Sequence, residues 1–230
     1  MSIPKIIARV PGLERTLSYA WSPIGTIMFK SAYRKALLDG AVYLHVGASA
    51  VRLKGWLNTD IRPPSLYLNV MRPLPMQNDS VSYIFSEQII EYLPMKATFA
   101  FVKECYRVLR PNGVLRITNE DIGAFARAYL HDPESVDLLN ERNRKNGYKN
   151  TSYPVDIFNK YFFEDSIVCA YDAMTIQRFI SEAGFKNVQN FPFGISSHAI
   201  LNGIEQHDVG SIQNKFTFSI EGTKINAPPE

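Results

Sequence analysis

The chain has few features that would tie it to a special environment. Among 230 residues only Cys105 and Cys169 are cysteines, far apart and without a C-x-x-C pair. That argues against a disulfide-stapled secreted scaffold and against a thiolate metal site, and fits two buried thiols in a reducing compartment. A dominant charge sign is missing too: 25 basic residues face 22 acidic ones, for a formal net charge of +3. Binding a nucleic-acid backbone needs clustered Lys and Arg, so no nucleic-acid partner is expected. The densest basic stretch, Arg142 to Lys149, sits in a polar helical segment and reads as a solvated face. No run is apolar enough for a bilayer. The patch Trp21 to Phe29 is broken by Pro23 and Gly25, is far too short to span, and follows no signal-peptide layout. A soluble, cytoplasmic protein is expected.

What is present is ordinary globular material. Hydrophobic residues make up 46% and charged residues 20%, and a chain of this length buries roughly 70% of the surface exposed on unfolding. No internal repeat or low-complexity segment interrupts it.

Residues 1–40 show helical spacing through Met28, Tyr33, Leu37 and Leu38. They read as one or two short helices stopping at Gly40, an N-terminal extension that packs on the main domain. From residue 41 the pattern changes to short apolar runs separated by helical stretches. Ala41–Val46 ends in Gly47 and Trp56–Ile61 contains Asp60, with Ser65–Val70 and Val81–Phe85 following. A long amphipathic segment, Glu87 through Leu109, is interrupted by Pro94 and predicts two helices. Pro111-Asn112-Gly113 is a turn before the strand Val114–Thr118.

Polar helices are predicted over Ile122–Leu130 and Glu134–Asn146, then an aromatic-rich stretch from Tyr148 to Phe163. Asp172 reads as the N-cap of a helix over Met174–Ala183, stopped by Gly184. Val188–Phe191 and Phe216–Ile220 read as closing strands, and the end with Pro228-Pro229 as a tail.

Strands alternating with helices predict an α/β fold, a doubly wound, mostly parallel seven-stranded sheet with helices on both faces. The main domain is placed at residues 41–225, with a helical and aromatic insertion at about 120–165. Ligands of such sheets bind beyond the carboxyl ends of the strands, where the strand order reverses. The residues that matter are therefore those just after each strand: Gly47 to Ser49, Asp60, Asn69, Ser86 to Gln88, and Asn119 to Asp121.

Three segments resemble one family. Leu44-His45-Val46-Gly47-Ala48-Ser49 followed by Gly55-Trp56-Leu57-Asn58-Thr59-Asp60 is similar to the opening of class I S-adenosylmethionine-dependent methyltransferases of the type 11 branch. Leu74-Pro75-Met76-Gln77-Asn78-Asp79-Ser80-Val81 resembles that family's turn before strand four. Glu104-Cys105-Tyr106-Arg107-Val108-Leu109-Arg110-Pro111-Asn112-Gly113 resembles its E-x-x-R-V-L-K-P-G-G segment. The resemblance implies S-adenosylmethionine as cofactor, held by Gly47, Ser49, Asp60, Asn69 and Ser86.

Physical reasoning agrees on two of these positions. A tight turn at Gly47 lets backbone approach a ligand, and an acidic side chain ending strand two can accept both ribose hydroxyls. The interval from Gly47 to Asp60 is shorter than the roughly 20 residues of a dinucleotide fingerprint, which disfavours a nicotinamide enzyme. The competing role for Asp60 is a turn or N-cap residue.

This chain departs from the family pattern at Ala48 and Ser49, at Asn69 where Asp is usual, and at Gln88 and Tyr92 where the pattern has histidines. Ser49 fits if its backbone stays at negative φ. Asn69 is expected to accept the adenine amino group through its carbonyl.

Methyl transfer needs alignment above all, and a general base only where the acceptor enters protonated. Glu87 and His198 are the candidate catalytic residues; the competing reading of Glu87 and Gln88 is the first turn of a helix. His198, Glu205 and His207 could hold a metal or supply a base, but their spacing lacks that of a helical zinc motif. Structural hydrogen bonding is the preferred reading, and no metal is assigned. His45 reads as a core residue. Acceptor recognition is placed in Tyr148–Phe163, with plain core packing an equal alternative.

The functional reading is a methyltransferase acting on a small molecule or a glycan or polysaccharide precursor. The alternative is a non-catalytic binding or scaffold protein of the same fold.

Overall fold

The computed structural model describes residues 13–149, 151–164, 167–207 and 210–225; the tail containing Pro228-Pro229 lies outside them. Seven strands form one sheet in the order β3-β2-β1-β4-β5-β7-β6. They are β1 (Tyr43–Val46), β2 (Leu57–Asp60), β3 (Leu66–Tyr67), β4 (Val81–Glu87), β5 (Leu109–Glu120), β6 (Lys186–Phe191) and β7 (Thr217–Thr223). The β1 to β5 pairings are parallel, and β7 runs antiparallel between β5 and β6. The central strands are buried on both faces, which is why they read as near-continuous apolar runs rather than alternating ones.

One face carries Leu44, Val46, Ile84, Leu115, Ile117 and Ile220, packed with helices into the main core. Helix α1 (Leu13–Leu38) contributes Phe29 and Tyr33. It is one continuous helix through Pro23, not two short ones, and it ends at Gly40 with φ +87°. Helix α2 (Met95–Val108) begins directly after Pro94 and buries Thr98, Phe101, Val102, Cys105 and Val108, the one-face spacing of an amphipathic helix. The helix predicted from Glu87 onward is absent: Glu87 is the last residue of β4, and Ile90–Tyr92 forms a single 3₁₀ turn. The Pro111-Asn112-Gly113 turn is an irregularity inside β5, where Asn112 takes φ +62° and its N–H reaches the Lys224 carbonyl at 2.7 Å.

Helices α3 (Ile122–His131) and α4 (Pro133–Lys145) follow β5, and α5 (Asp156–Asn159) runs into a π-helical turn, Lys160–Glu164. Together they enclose a second cluster of Phe125, Val136, Leu139, Ile157, Tyr161 and Phe216. The starts of α3 and α4 are capped: Asp121 accepts from Gly123 N at 2.9 Å and Asp132 from Ser135 N at 3.1 Å. Asp172 caps α6 (Ala173–Glu182) through Thr175 N at 2.8 Å. Each cap is worth ~1 kcal/mol.

The second and third motif segments form one structural unit. The Leu74 N–H donates to Glu104 Oε2 at 2.7 Å, and Arg107 donates to the Leu74 carbonyl at 2.9 Å and the Met76 carbonyl at 3.0 Å. Arg107 also binds Asn78 Oδ1 and both oxygens of Glu104. The Arg107 hydrogen bond holds the Glu104 carboxyl below its ordinary 4.5.

Candidate active site

The strand order reverses between β1 and β4, and a cavity of about 620 Å³ opens beyond the carboxyl ends of these strands. Gly47 follows β1, Asp60 ends β2, Glu87 ends β4 and Glu120 ends β5; all four line it. Residues brought over by α4 and the stretch after it, Arg142, Asn146, Tyr148 and Lys160, form the opposite wall.

The turn after β1 is tight. Gly47 has φ +74°, and a Cβ there would stand 2.0 Å from Ile89 side-chain atoms. Ser49 takes φ +45°, a left-handed conformation, contrary to the negative φ expected. Several bonds hold it. Its N–H donates to Asp60 Oδ2 at 3.0 Å and its carbonyl accepts from Ser65 Oγ at 3.0 Å, while the Ala48 N–H reaches the Thr59 carbonyl at 2.9 Å.

Asp60 is buried, and its Oδ1 accepts the Arg62 N–H at 3.0 Å. A carboxylate offers about four lone-pair sites, so two backbone donors leave acceptor capacity facing the cavity. Asn69 also lines it, but its carbonyl accepts the Met71 N–H at 3.0 Å.

Ser86 and His198 stand elsewhere. Ser86 is buried in β4, level with Val46 of β1, and is not part of the cavity wall. The His198 ring meets Tyr83 edge-on at 5.9 Å, also away from the wall. His45 is a core residue, as read: its Nδ1 lies 3.0 Å from Asn58 Oδ1 and its ring stacks on Phe85. Burial pushes its pKa below the ordinary 6.5, although the Asn58 hydrogen bond acts in the opposite sense.

His198, Glu205 and His207 do not converge. Glu205 is buried and bonded to Arg116, Thr118 and Ser219; Arg116, fully buried, also binds Glu221 Oε1 at 2.6 Å. His207 instead lies against Glu87. Both Glu87 oxygens accept the Gln206 N–H, at 3.2 and 3.1 Å, Oε1 also accepts the His207 N–H at 3.1 Å, and His207 Nδ1 stands 3.0 Å from Oε2.

The aromatic stretch divides between its two readings. Tyr148 lines the cavity with the Lys160 ammonium 4.7 Å from its ring centroid, whereas Phe158 and Tyr161 pack on Phe125. Arg142, read as part of a solvated face, is in the cavity wall and donates to Gln213 Oε1 at 3.3 Å. Glu91 also lines the cavity, buried after β4, and its carbonyl accepts the Val168 and Cys169 N–H groups. Glu91 stands at the acidic position of the S-x-H-x-L-E-H pattern that Ser86–Tyr92 resembles, whereas no local motif marks Arg142 or Lys160, which only the fold brings to the same wall.

Residues 42–117 match the family model of a methyltransferase domain. A S-adenosylmethionine-dependent methyltransferase of Archaeoglobus fulgidus has the same fold: 11% identity, 85% of this chain and 94% of that one, TM-score 0.50. The protein in complex with the Trm112 methyltransferase activator of Haloferax volcanii is similar over 94% of this chain and 99% of that one, at 14% identity and TM-score 0.48. Phosphoethanolamine N-methyltransferase 2 of Haemonchus contortus, in complex with S-adenosyl-L-methionine, gives 12% identity over 98% of this chain and 60% of that one, TM-score 0.47. No curated protein matches the chain. The match over residues 42–117 and the sheet order together give this chain the fold of S-adenosylmethionine-dependent methyltransferases. Among the described residues, no helix is long and apolar enough to cross a membrane.

Proposed function

We propose that this protein is an S-adenosylmethionine-dependent methyltransferase acting on a small molecule or a glycan or polysaccharide precursor in the cytoplasm. Gly47, Ser49, Asp60 and Asn69 hold the cofactor, with Asp60 receiving the ribose hydroxyls. The observation that carries this reading is the Ser49–Asp60 hydrogen bond, which fixes a buried carboxylate beside the turn at the floor of the cavity. Ser86 and His198 take no part, since neither is in the cavity wall. The acceptor lies between Tyr92 and Tyr148, beside Glu91, Glu120, Arg142 and Lys160. Aromatic faces with hydrogen-bonding groups between them suit a sugar ring or a comparably polar ring. Isothermal calorimetry with S-adenosylmethionine, with mass spectrometry of small molecules retained on purification, tests the proposal. Micromolar binding is expected; no binding at millimolar cofactor ends it.

A further inference from the structure

The contact between Glu87 and His207 has no part in the cofactor assignment. Glu87 is 1% exposed and His207 is 42% exposed, and both line the cavity that contains Gly47 and Asp60. Glu87 follows Ser86, which is level with Val46 in the sheet, so the carboxylate emerges beside the turn after β1. His207 Nδ1 is buried 3.0 Å from Glu87 Oε2, an ion-pair distance without the alignment of a hydrogen bond, and the exposure of the ring therefore falls on its other atoms.

The chain that carries His207 is anchored twice. Glu205 is tied to Arg116 within the sheet, and the Gln206 and His207 N–H groups are tied to Glu87. A buried carboxylate this close to Nδ1 favours the proton on that nitrogen by its charge and leaves Nε2 as the basic one.

We propose that His207 is the general base of this enzyme, taking at Nε2 the proton of a hydroxyl or ammonium acceptor, with Glu87 as the residue that positions it. The inference rests on the methyltransferase reading above and narrows it to acceptors that enter carrying a proton. The cofactor supplies the methyl group and keeps the electron pair of the broken carbon–sulfur bond, so the acceptor heteroatom that bonds to carbon has one proton to lose. His207 takes that proton, and the Glu87 carboxylate offsets the charge of the resulting imidazolium. His45 on β1 and Arg52 belong to the same electrostatic neighbourhood, and the cavity is also lined by Asp60, Arg62, Glu91, Glu120, Arg142 and Lys160.

The test is nitrogen-15 NMR of the full chain labelled at histidine, with His207 assigned through His207→Gln, before and after addition of S-adenosylhomocysteine. The expected spectrum shows the proton on Nδ1, a His207 Nε2 signal that moves on saturation while His131 and His198 stay in place, and loss of the tautomer preference in Glu87→Gln. A proton on Nε2, a preference unchanged in Glu87→Gln, or a His207 signal unmoved while other resonances shift overturns the base assignment alone. If millimolar S-adenosylhomocysteine shifts no resonance, the cofactor reading falls, and this inference with it.

Discussion

The Ser49 N–H and Asp60 Oδ2 are 3.0 Å apart, so the turn that follows β1 is anchored by the carboxylate that closes β2. Ser49 is thereby held at φ +45°, a conformation that costs a non-glycine residue about 1 kcal/mol or more. The turn and the carboxylate should respond to mutation as a unit.

Asp60→Ala removes both the expected ribose acceptor and the anchor of Ser49. A lost charge-assisted pair of hydrogen bonds is worth ~3 kcal/mol, so cofactor affinity should fall roughly 100-fold. Asp60→Asn, which keeps one acceptor oxygen, should fall between that and wild type. Calorimetry gives both values, and wild-type affinity in Asp60→Ala would remove Asp60 from the site.

Ser49→Gly should relieve the left-handed strain. The gain expected is up to about 1 kcal/mol, partly offset by the greater freedom of glycine in the unfolded chain. Urea unfolding reads it; a loss above 1 kcal/mol would mean that the serine side chain contributes contacts of its own.

At Gly47 the obstacle is a neighbour as well as a dihedral angle. A methyl group placed there meets Ile89 at 2.0 Å, so Gly47→Ala should cost ~2 kcal/mol of stability through overpacking and positive φ together. In an Ile89→Ala background the cost should shrink toward the dihedral contribution alone. A double-mutant cycle in urea separates the two parts, and a zero coupling would refute the contact.

Arg116 is fully buried between Glu205 and Glu221. Arg116→Met leaves two buried carboxylates without their cation, which should destabilise the fold by about 3–5 kcal/mol. Denaturant titration checks it; a loss below 1 kcal/mol would show that water reaches the carboxylates.

His45 should make stability depend on pH. Burial lowers its folded pKa from 6.5, so below that pH the unfolded chain binds a proton that the folded chain resists, and stability falls as pH decreases. Urea midpoints at pH 7.5 and 5.5 should differ less in His45→Phe than in wild type. An unchanged difference would assign the acid sensitivity to other groups.

The sequence made some of this readable and hid the rest for physical reasons. Gly47, Asp60 and the Asp172 cap are local signals, in which a residue type, a turn and a short interval carry the meaning. The left-handed Ser49 was not legible, because serine gives no warning of positive φ and its stabilising partners, Asp60 at the end of β2 and Ser65, lie 11 and 16 residues further on. Glu87 read as the start of a helix because apolar residues follow it; only strand pairing with Thr118 shows that β4 continues to it. His207 lies 120 residues from Glu87 and Arg116 lies 89 from Glu205. No periodicity spans such distances. Arg142 looked like surface because its helix is polar, yet the helix lies along the cavity.

The clamp of Glu104 and Arg107 on the Leu74–Asn78 loop has a consequence for how proteins of this kind are recognised. Two of the three segments that made the resemblance visible are masonry: they brace a loop, and none of their residues lines the cavity. A chain can alter the lining of its cleft and still keep this buttress, so pattern similarity here certifies the building while leaving its tenant open. On the function proposed above, selectivity belongs to the cavity wall of Tyr148, Arg142 and Lys160, where no shared wording points.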